Sequence, residues 1–454
     1  MSAWTHRVTD PATGESEPAL PLHSPGEVDR AVADARATFE TWSARPLAER
    51  ARTIAGLARP LRERREELAL LMAREMGKPL AEGRGEIEKC AATCELVAER
   101  AEDWLRPVQL SSDASSSWVQ YDPLGVVFAI MPWNFPFWQA IRFAAPAMVA
   151  GNSFLLKHAP STPGCGDAIS ELFEGVGLRV PNLRLDLEQV ERVIADPRVA
   201  AVTLTGSTGA GRSVAVTAAR YLKRSVLELG GSDPFVVLDD ADLDRAAEVG
   251  VQSRLLNGGQ SCIAAKRFIV VRSVAEPMIE RLRARLSAAV VGDPRDAGTT
   301  VGPMARQDLR DALHDQVLRS VGLGARCVLG GRVPDRAGWY YPPTLLLDVA
   351  PGMPAWDEEL FGPVLPVRVV EDEDEALLAA NDSAYALGAS IWTEDAERAR
   401  RWAGRVTAGC VFVNGLVKSD ARLPFGGARD SGWGKELGPH GMRELTLART
   451  VWVR

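Results

Sequence analysis

The chain has 454 residues, 46% hydrophobic and 25% charged, the proportions of an ordinary globular protein of two or three domains. A net charge of −7 speaks against a nucleic-acid or anionic-membrane partner, because both need a basic surface. The six cysteines form no Cys-x-x-Cys pair and the five histidines are scattered, so no metal site is expected. Met1–Asp10 lacks an apolar segment, and a cytoplasmic protein with reduced thiols is expected.

Residues 26–105 read as helices. Leu57, Leu61, Leu68, Leu71 and Met72 recur at three- and four-residue steps, and Gly77 followed by Pro79 is a stop signal. The run Arg62–Glu67 reads as a solvated helix face, and Cys90 and Cys94 as part of a buried stripe. Near residue 110 the texture changes, and Ser111, Ser112 and Ser115–Ser117 suggest a polar loop or exposed hairpin. Strand-like runs follow at Val126–Ile130, Ser153–Leu156, Val199–Thr205, Val226–Glu228, Phe235–Leu238, Phe268–Val271, Val364–Val370 and Cys410–Val413. Amphipathic stretches such as Asp242–Leu256 and Met278–Val291 lie between them. This alternation predicts an α/β protein with two parallel sheets, one before and one after about residue 230. Thr450–Val453 reads as a strand that, with the 110–123 hairpin, is suited to contact another subunit.

Five segments carry chemistry. Asn134 sits in Pro132-Trp133-Asn134-Phe135-Pro136, a rigid turn after a strand, where its amide is suited to stabilise an oxyanion or else to satisfy the turn's own backbone. Lys157 ends the next strand, where ligands bind in open α/β folds; it holds a ribose hydroxyl or a phosphate, or snorkels at the surface. His158 reads as a satisfied polar residue. Leu204–Arg212 joins a strand to a helix with glycines at 206, 209 and 211, either a phosphate-binding turn or a plain one. Glu228 ends a strand before Gly230-Gly231, and Cys262 follows the small, polar run Asn257–Ser261; a carboxylate and a thiol so placed suit a base and a nucleophile.

Together these segments resemble the aldehyde dehydrogenase superfamily across essentially the whole chain. The matching motifs are Pro132–Pro136, Lys157, Leu204–Ser207 with Gly211, Glu228–Gly231, Gly259–Cys262, Glu359–Pro363 and Pro424–Gly427. Met131–Phe135 with Trp138-Gln139, Leu156–Ala159, Leu227–Phe235 and Ala264–Phe268 bring the chain nearest to the bacterial succinate-semialdehyde dehydrogenases. The resemblance implies an aldehyde dehydrogenase-like fold. A Rossmann-type cofactor domain would span 1–109 and 124–229, a catalytic domain 230–430, and an oligomerisation β-arm 110–123 and 440–454 of a homodimer or homotetramer. It implies that Cys262 forms a thiohemiacetal and then a thioester, that Asn134 and the Cys262 N–H hold the oxyanion, and that Glu228 activates water. It places NADP or NAD against Met131, Pro132, Trp133, Lys157, His158, Ala159, Pro160, Gly206, Ser207, Gly211, Leu229, Glu359 and Phe361.

For the substrate, Arg142 matches an arginine that pairs with a distal carboxylate in similar enzymes, while Trp138 and Ser419 fall in the tunnel segments. Succinate semialdehyde is therefore the leading substrate; another small aldehyde in a specialised pathway, or a retired structural homologue, are the alternatives. Pro160 replaces the acid that chelates the adenosine ribose in many NAD-specific members, which favours NADP, with NAD also accepted. Gly177–Val190 lacks the usual glycine-rich turn, which either loosens cofactor binding or leaves Arg179 or Arg184 to compensate. A second tunnel arginine of similar enzymes is Leu256 here, with Arg254 close by.

Overall fold

A computed structural model describes residues 6–454; residues 1–5, part of the amino-terminal stretch read above, lie outside the described residues. Five helices fill Pro25–Trp104. The first opens on a capping box in which Ser24 and Glu27 satisfy each other's backbone N–H groups, and the fourth ends at Gly77 with φ +78°. The fifth, Leu80–Trp104, buries Ile87, Cys90, Ala91, Cys94 and Val97 as one stripe facing helix Pro136–Val149.

Every residue of Pro136–Val149 is buried, which suits a helix apolar nearly all round. Its first turn is capped from outside: Glu86 accepts from the Phe137 and Trp138 N–H groups, each at 2.9 Å. Glu86 is also ion-paired with buried Lys78. This helix carries Trp138, Gln139 and Arg142, so the cap fixes three pocket residues at once.

The first sheet has the order Gly432–Trp433, Arg224–Glu228, Val199–Thr205, Val126–Ile130, Ser153–Lys157, with only the Gly432–Trp433 strand antiparallel. Its register pairs Ile130 with Lys157 and Leu204, and Thr205 with Glu228. The expected binding segments therefore leave the sheet along one edge, the carboxyl ends of parallel strands. The atypical segment after Gly177 runs beside this sheet: Leu183 N–H donates to Leu156 O at 2.7 Å and Leu156 N–H to Pro181 O at 3.0 Å.

The second sheet orders Cys410–Val413, Gly388–Trp392, Asp233–Val237, Ala265–Val271, Val364–Val370, Thr344–Leu347 and Arg326–Leu329, parallel except for the last strand. The strand Gly388–Trp392 was not expected, because Gly-Ala-Ser offers little β signal. Its smallness has a reason: a Cβ at Gly388 would run into Asp233 Oδ2 and Val417.

Ser116–Pro123 and Thr446–Val453 pair antiparallel with each other, from Thr446↔Pro123 to Val453↔Ser116, with Val108–Gln109 on the far side. The terminal strand is thus an open edge, and its Leu447, Trp452 and Val453 are exposed.

Candidate active site

The cysteine loop is set by an unusual backbone run. Asn257, Gly258 and Gly259 are all left-handed, with φ of 57°, 62° and 78°, directly before Gln260-Ser261-Cys262. A Cβ at Gly259 would collide with Gly362 O, so the position needs glycine on both counts. Asparagine tolerates this conformation better than most residues, and its Nδ2 fixes the side chain by donating to Asn134 O at 2.6 Å and to Gln260 O at 3.2 Å.

Arg254, an alternative tunnel arginine on sequence, is instead buried under this loop. Its guanidinium donates to Ala265 O, Gly259 O, Leu360 O and Gly362 O, and burial pushes its pKa down to about 9. It fastens the Cys262 loop to the Glu359–Pro363 loop and does not line the aldehyde-side cavity.

Two cavities meet at Cys262. One of about 260 Å³ holds Trp138, Arg142 and Ser419, the three expected substrate residues, together with Lys89. The other, of about 250 Å³, holds Trp133, Gly206, Ser207, Leu229, Glu359 and Phe361. Only Cys262 and Gln139 line both. Gln139 was not among the expected site residues, yet its Oε1 is buried at the junction without a hydrogen-bond partner among the described residues.

Burial and charge set Cys262, Glu228 and Asn134 apart. Burial pushes the half-buried Cys262 thiol up to about 12, opposed by the charges of Lys266 and Arg142 and reinforced by Glu228 and Glu359. Glu228 is 2% exposed, and neither carboxyl oxygen has a hydrogen-bond partner among the described residues. Burial holds it well above the usual carboxylate range, with Arg142 pulling the other way. A Cβ at Gly426 would stand 2.7 Å from Glu228 Oε1, so glycine there leaves the carboxyl its space. Asn134, 4% exposed, donates one amide hydrogen to Gln260 O at 3.0 Å and keeps the other.

Arg142 lines the aldehyde-side cavity, but its guanidinium is ion-paired with buried Glu436 and stacks on Phe425 at 4.8 Å. The partner lies almost 300 residues on, and local sequence gives no hint of it. In the other cavity, Glu359 Oε1 accepts from Lys266 Nζ at 2.9 Å and Gly231 N–H at 3.0 Å, with Oε2 against Gly230. Trp133 and Phe361 meet edge to face at 5.8 Å.

The remaining expected cofactor residues sit off that cavity. Gly211 packs under Leu229, where a Cβ would not fit, so its place is helix-to-strand contact rather than phosphate approach. Ser207, by contrast, lines that cavity and caps helix Thr208–Arg220, accepting from Ala210 N–H at 3.3 Å. Lys157 is 4% exposed, and burial pushes it down to about 8. The His158 ring is held by Pro136 O at 3.0 Å and Thr162 Oγ1 at 2.9 Å, and burial lowers its pKa to about 4, which leaves the ring neutral. Met131 N–H donates to Lys157 O, while Ala159 O and Pro160 O accept from Thr162 and Arg7 N–H. Arg179 and Arg184 face Asp34 and Asp167, at 3.0 and 3.6 Å.

A thiol at the junction of two cavities, a buried carboxyl beside it and an amide over the loop, carried on two α/β sheets, define an aldehyde dehydrogenase, and the chain belongs to the aldehyde dehydrogenase family, which its residues 2–451 match. A probable succinate-semialdehyde dehydrogenase (NADP(+)) of Synechocystis is 46% identical over 447 residues, 98% of each chain. The succinate semialdehyde dehydrogenase (NAD(P)+) Sad of Escherichia coli is 44% identical over 454 residues, 99% of this chain and 98% of its own. The crystal structure of succinic semialdehyde dehydrogenase from Streptococcus pyogenes in complex with NADP+ superposes with a TM-score of 0.96 at 34% identity, covering 99% of both chains. No helix among the described residues is long and apolar enough to cross a membrane.

Proposed function

We propose that this chain oxidises a short aldehyde bearing a distal carboxylate, with succinate semialdehyde the leading substrate, to the acid by covalent catalysis at Cys262. The observation that carries the reading is that Cys262 alone among thiols faces both cavities, one lined by Lys89, Arg142 and apolar groups beside Glu82 and Glu86, and one by the strand-end and helix-cap residues. The second cavity fits the nicotinamide end of a dinucleotide: helix Thr208–Arg220 begins at its wall, Glu359 Oε2 is an acceptor for ribose, and Trp133 and Phe361 are flat walls. When bound, the oxidised cofactor supplies the hydride acceptor and a positive charge. NADP is favoured over NAD, because Pro160 puts no acid beside Lys157 and the relatives carry NADP or NAD(P) in their names.

The chain's own residues account for the rest. The Cys262 thiol gives its proton to a solvent water and Sγ attacks the aldehyde carbon; the carbonyl oxygen becomes an oxyanion that accepts from the second Asn134 amide hydrogen and the Cys262 N–H. After oxidation, the thioester is hydrolysed by a water whose proton goes to Glu228, which must first ionise. A carboxyl in a dry site with a raised pKa is matched to that exchange. Homo-oligomerisation, as a dimer or tetramer, is supported by the open, partly apolar edge of Thr446–Val453, a surface that sheet proteins do not leave uncovered.

Cys262→Ala tests the assignment. It should abolish cofactor reduction with succinate semialdehyde while fluorescence titration still reports NADP binding; turnover near the wild-type rate would overturn it.

A further inference from the structure

Helix Leu80–Trp104 presents Glu82, Gly85, Glu86 and Lys89 to the aldehyde-side cavity, positions three and four apart and hence on one face. Among these, Lys89 stands out because no carboxylate among the described residues lies within ion-pair distance of it. Its Nζ donates to Ser419 Oγ at 2.9 Å and lies 3.9 Å from the centre of the Trp138 ring, whose Nε1 donates to the same Ser419 oxygen at 3.0 Å.

Each acid around it is already committed. Glu86 serves Lys78 and two helix N–H groups, Glu82 accepts from Asn257 N–H at 2.7 Å, and Asp420 pairs with Arg422 at 2.6 Å. Arg142, the buried cation of the cavity, is matched by Glu436, and Lys418, which also lines it, is exposed, whereas Lys89 is half-buried. The cavity thus holds an ammonium group in contact with a ring face and a hydroxyl, two weak partners that leave its charge to be met by whatever enters.

We propose that Lys89 is the specificity-determining residue that binds the distal carboxylate of the aldehyde, with Ser419 completing the contact and Arg142 supporting the wall. This rests on the proposed carboxylated-aldehyde function and names the group that selects for it. Ser419 holds Lys89 and Trp138 together, so one hydroxyl positions both the charge and the flat apolar surface along which a short carbon chain would lie. Cys262 lines the same cavity. A carboxylate docked on Lys89 orients the aldehyde end towards the thiol, whereas an uncharged aldehyde of equal length gains nothing from the lysine.

The experiment compares succinate semialdehyde with butanal in the wild type, Lys89→Met and Lys89→Arg. The wild type should prefer succinate semialdehyde. Lys89→Met should raise its KM relative to that of butanal by about ten- to a hundredfold, the loss expected for a charge-assisted hydrogen bond in a dry site, and Lys89→Arg should recover most of it. Inhibition by the product succinate should weaken in parallel, a readout that does not depend on turnover. If the wild type prefers succinate semialdehyde and Lys89→Met keeps that preference within about twofold, the lysine assignment fails and the functional reading stands. If the wild type does not discriminate between the two aldehydes, both fail.

Discussion

The Asn134 side-chain amide donates to the Gln260 carbonyl across 126 residues of sequence, at 3.0 Å, and so ties the turn that follows the strand Val126–Ile130 to the loop that carries Cys262. One donor hydrogen holds the loop and the other remains for an oxyanion. Both roles depend on an amide.

Asn134→Ala should therefore lower kcat by about 10²–10³, the usual cost of an oxyanion donor. Circular dichroism and NADP affinity serve as controls for the loop. A variant that loses stability but keeps the wild-type kcat per active thiol, counted by iodoacetamide titration, would leave Asn134 a structural tie only.

Gly259→Ala puts a Cβ into a φ of 78° and against Gly362 O. The strain alone costs on the order of 1–3 kcal/mol, and the Arg254 clamp over the same carbonyls leaves the loop little room to yield. Thermal unfolding should show a clearly lowered Tm together with near-complete loss of activity. An unchanged Tm would mean that the loop can adopt another path.

Lys89 has its pKa lowered to about 8, first by burial and then by Arg142 across the cavity. Glu86 and Cys90 from its own helix and Asp420 from the facing segment oppose this. A lowered lysine pKa means that the charge is present below about 8 and is lost as pH rises through it. The ratio of kcat/KM for succinate semialdehyde to that for butanal should accordingly fall as pH is raised past this value, and taking the ratio cancels titration of Cys262 and Glu228. A ratio flat from pH 7 to about 10 would contradict a lysine-held carboxylate.

Much of the site was legible because its chemistry sits at local signals: a carboxylate ending a strand beside glycines, a cysteine in a loop with nothing to pack, an amide between prolines. The parallel sheets followed from alternation, with Val126–Ile130, Val199–Thr205, Val364–Val370 and Cys410–Val413 at their expected limits. What escaped depends on distant partners. The pairing of Arg142 with Glu436, the Arg254 clamp and the Lys89–Ser419 contact join residues brought together only by the fold. Lys89 did leave a trace, as part of a helical stripe with Glu82 and Glu86, but a stripe of charges reads as a solvated face until a cavity is seen in front of it. Gly211, one of three glycines in a strand-to-helix turn, makes room for Leu229, a contact the local sequence does not show.

The most direct test of covalent oxidation at Cys262 is peptide mass spectrometry on Glu228→Gln, quenched after one exposure to NADP and succinate semialdehyde. Without the base, hydrolysis should slow by about 10²–10⁴, so one equivalent of reduced cofactor should form and the acyl group should remain on the peptide containing Cys262. Reduced cofactor formed with that peptide unmodified, and turnover continuing at the wild-type rate, would contradict the account.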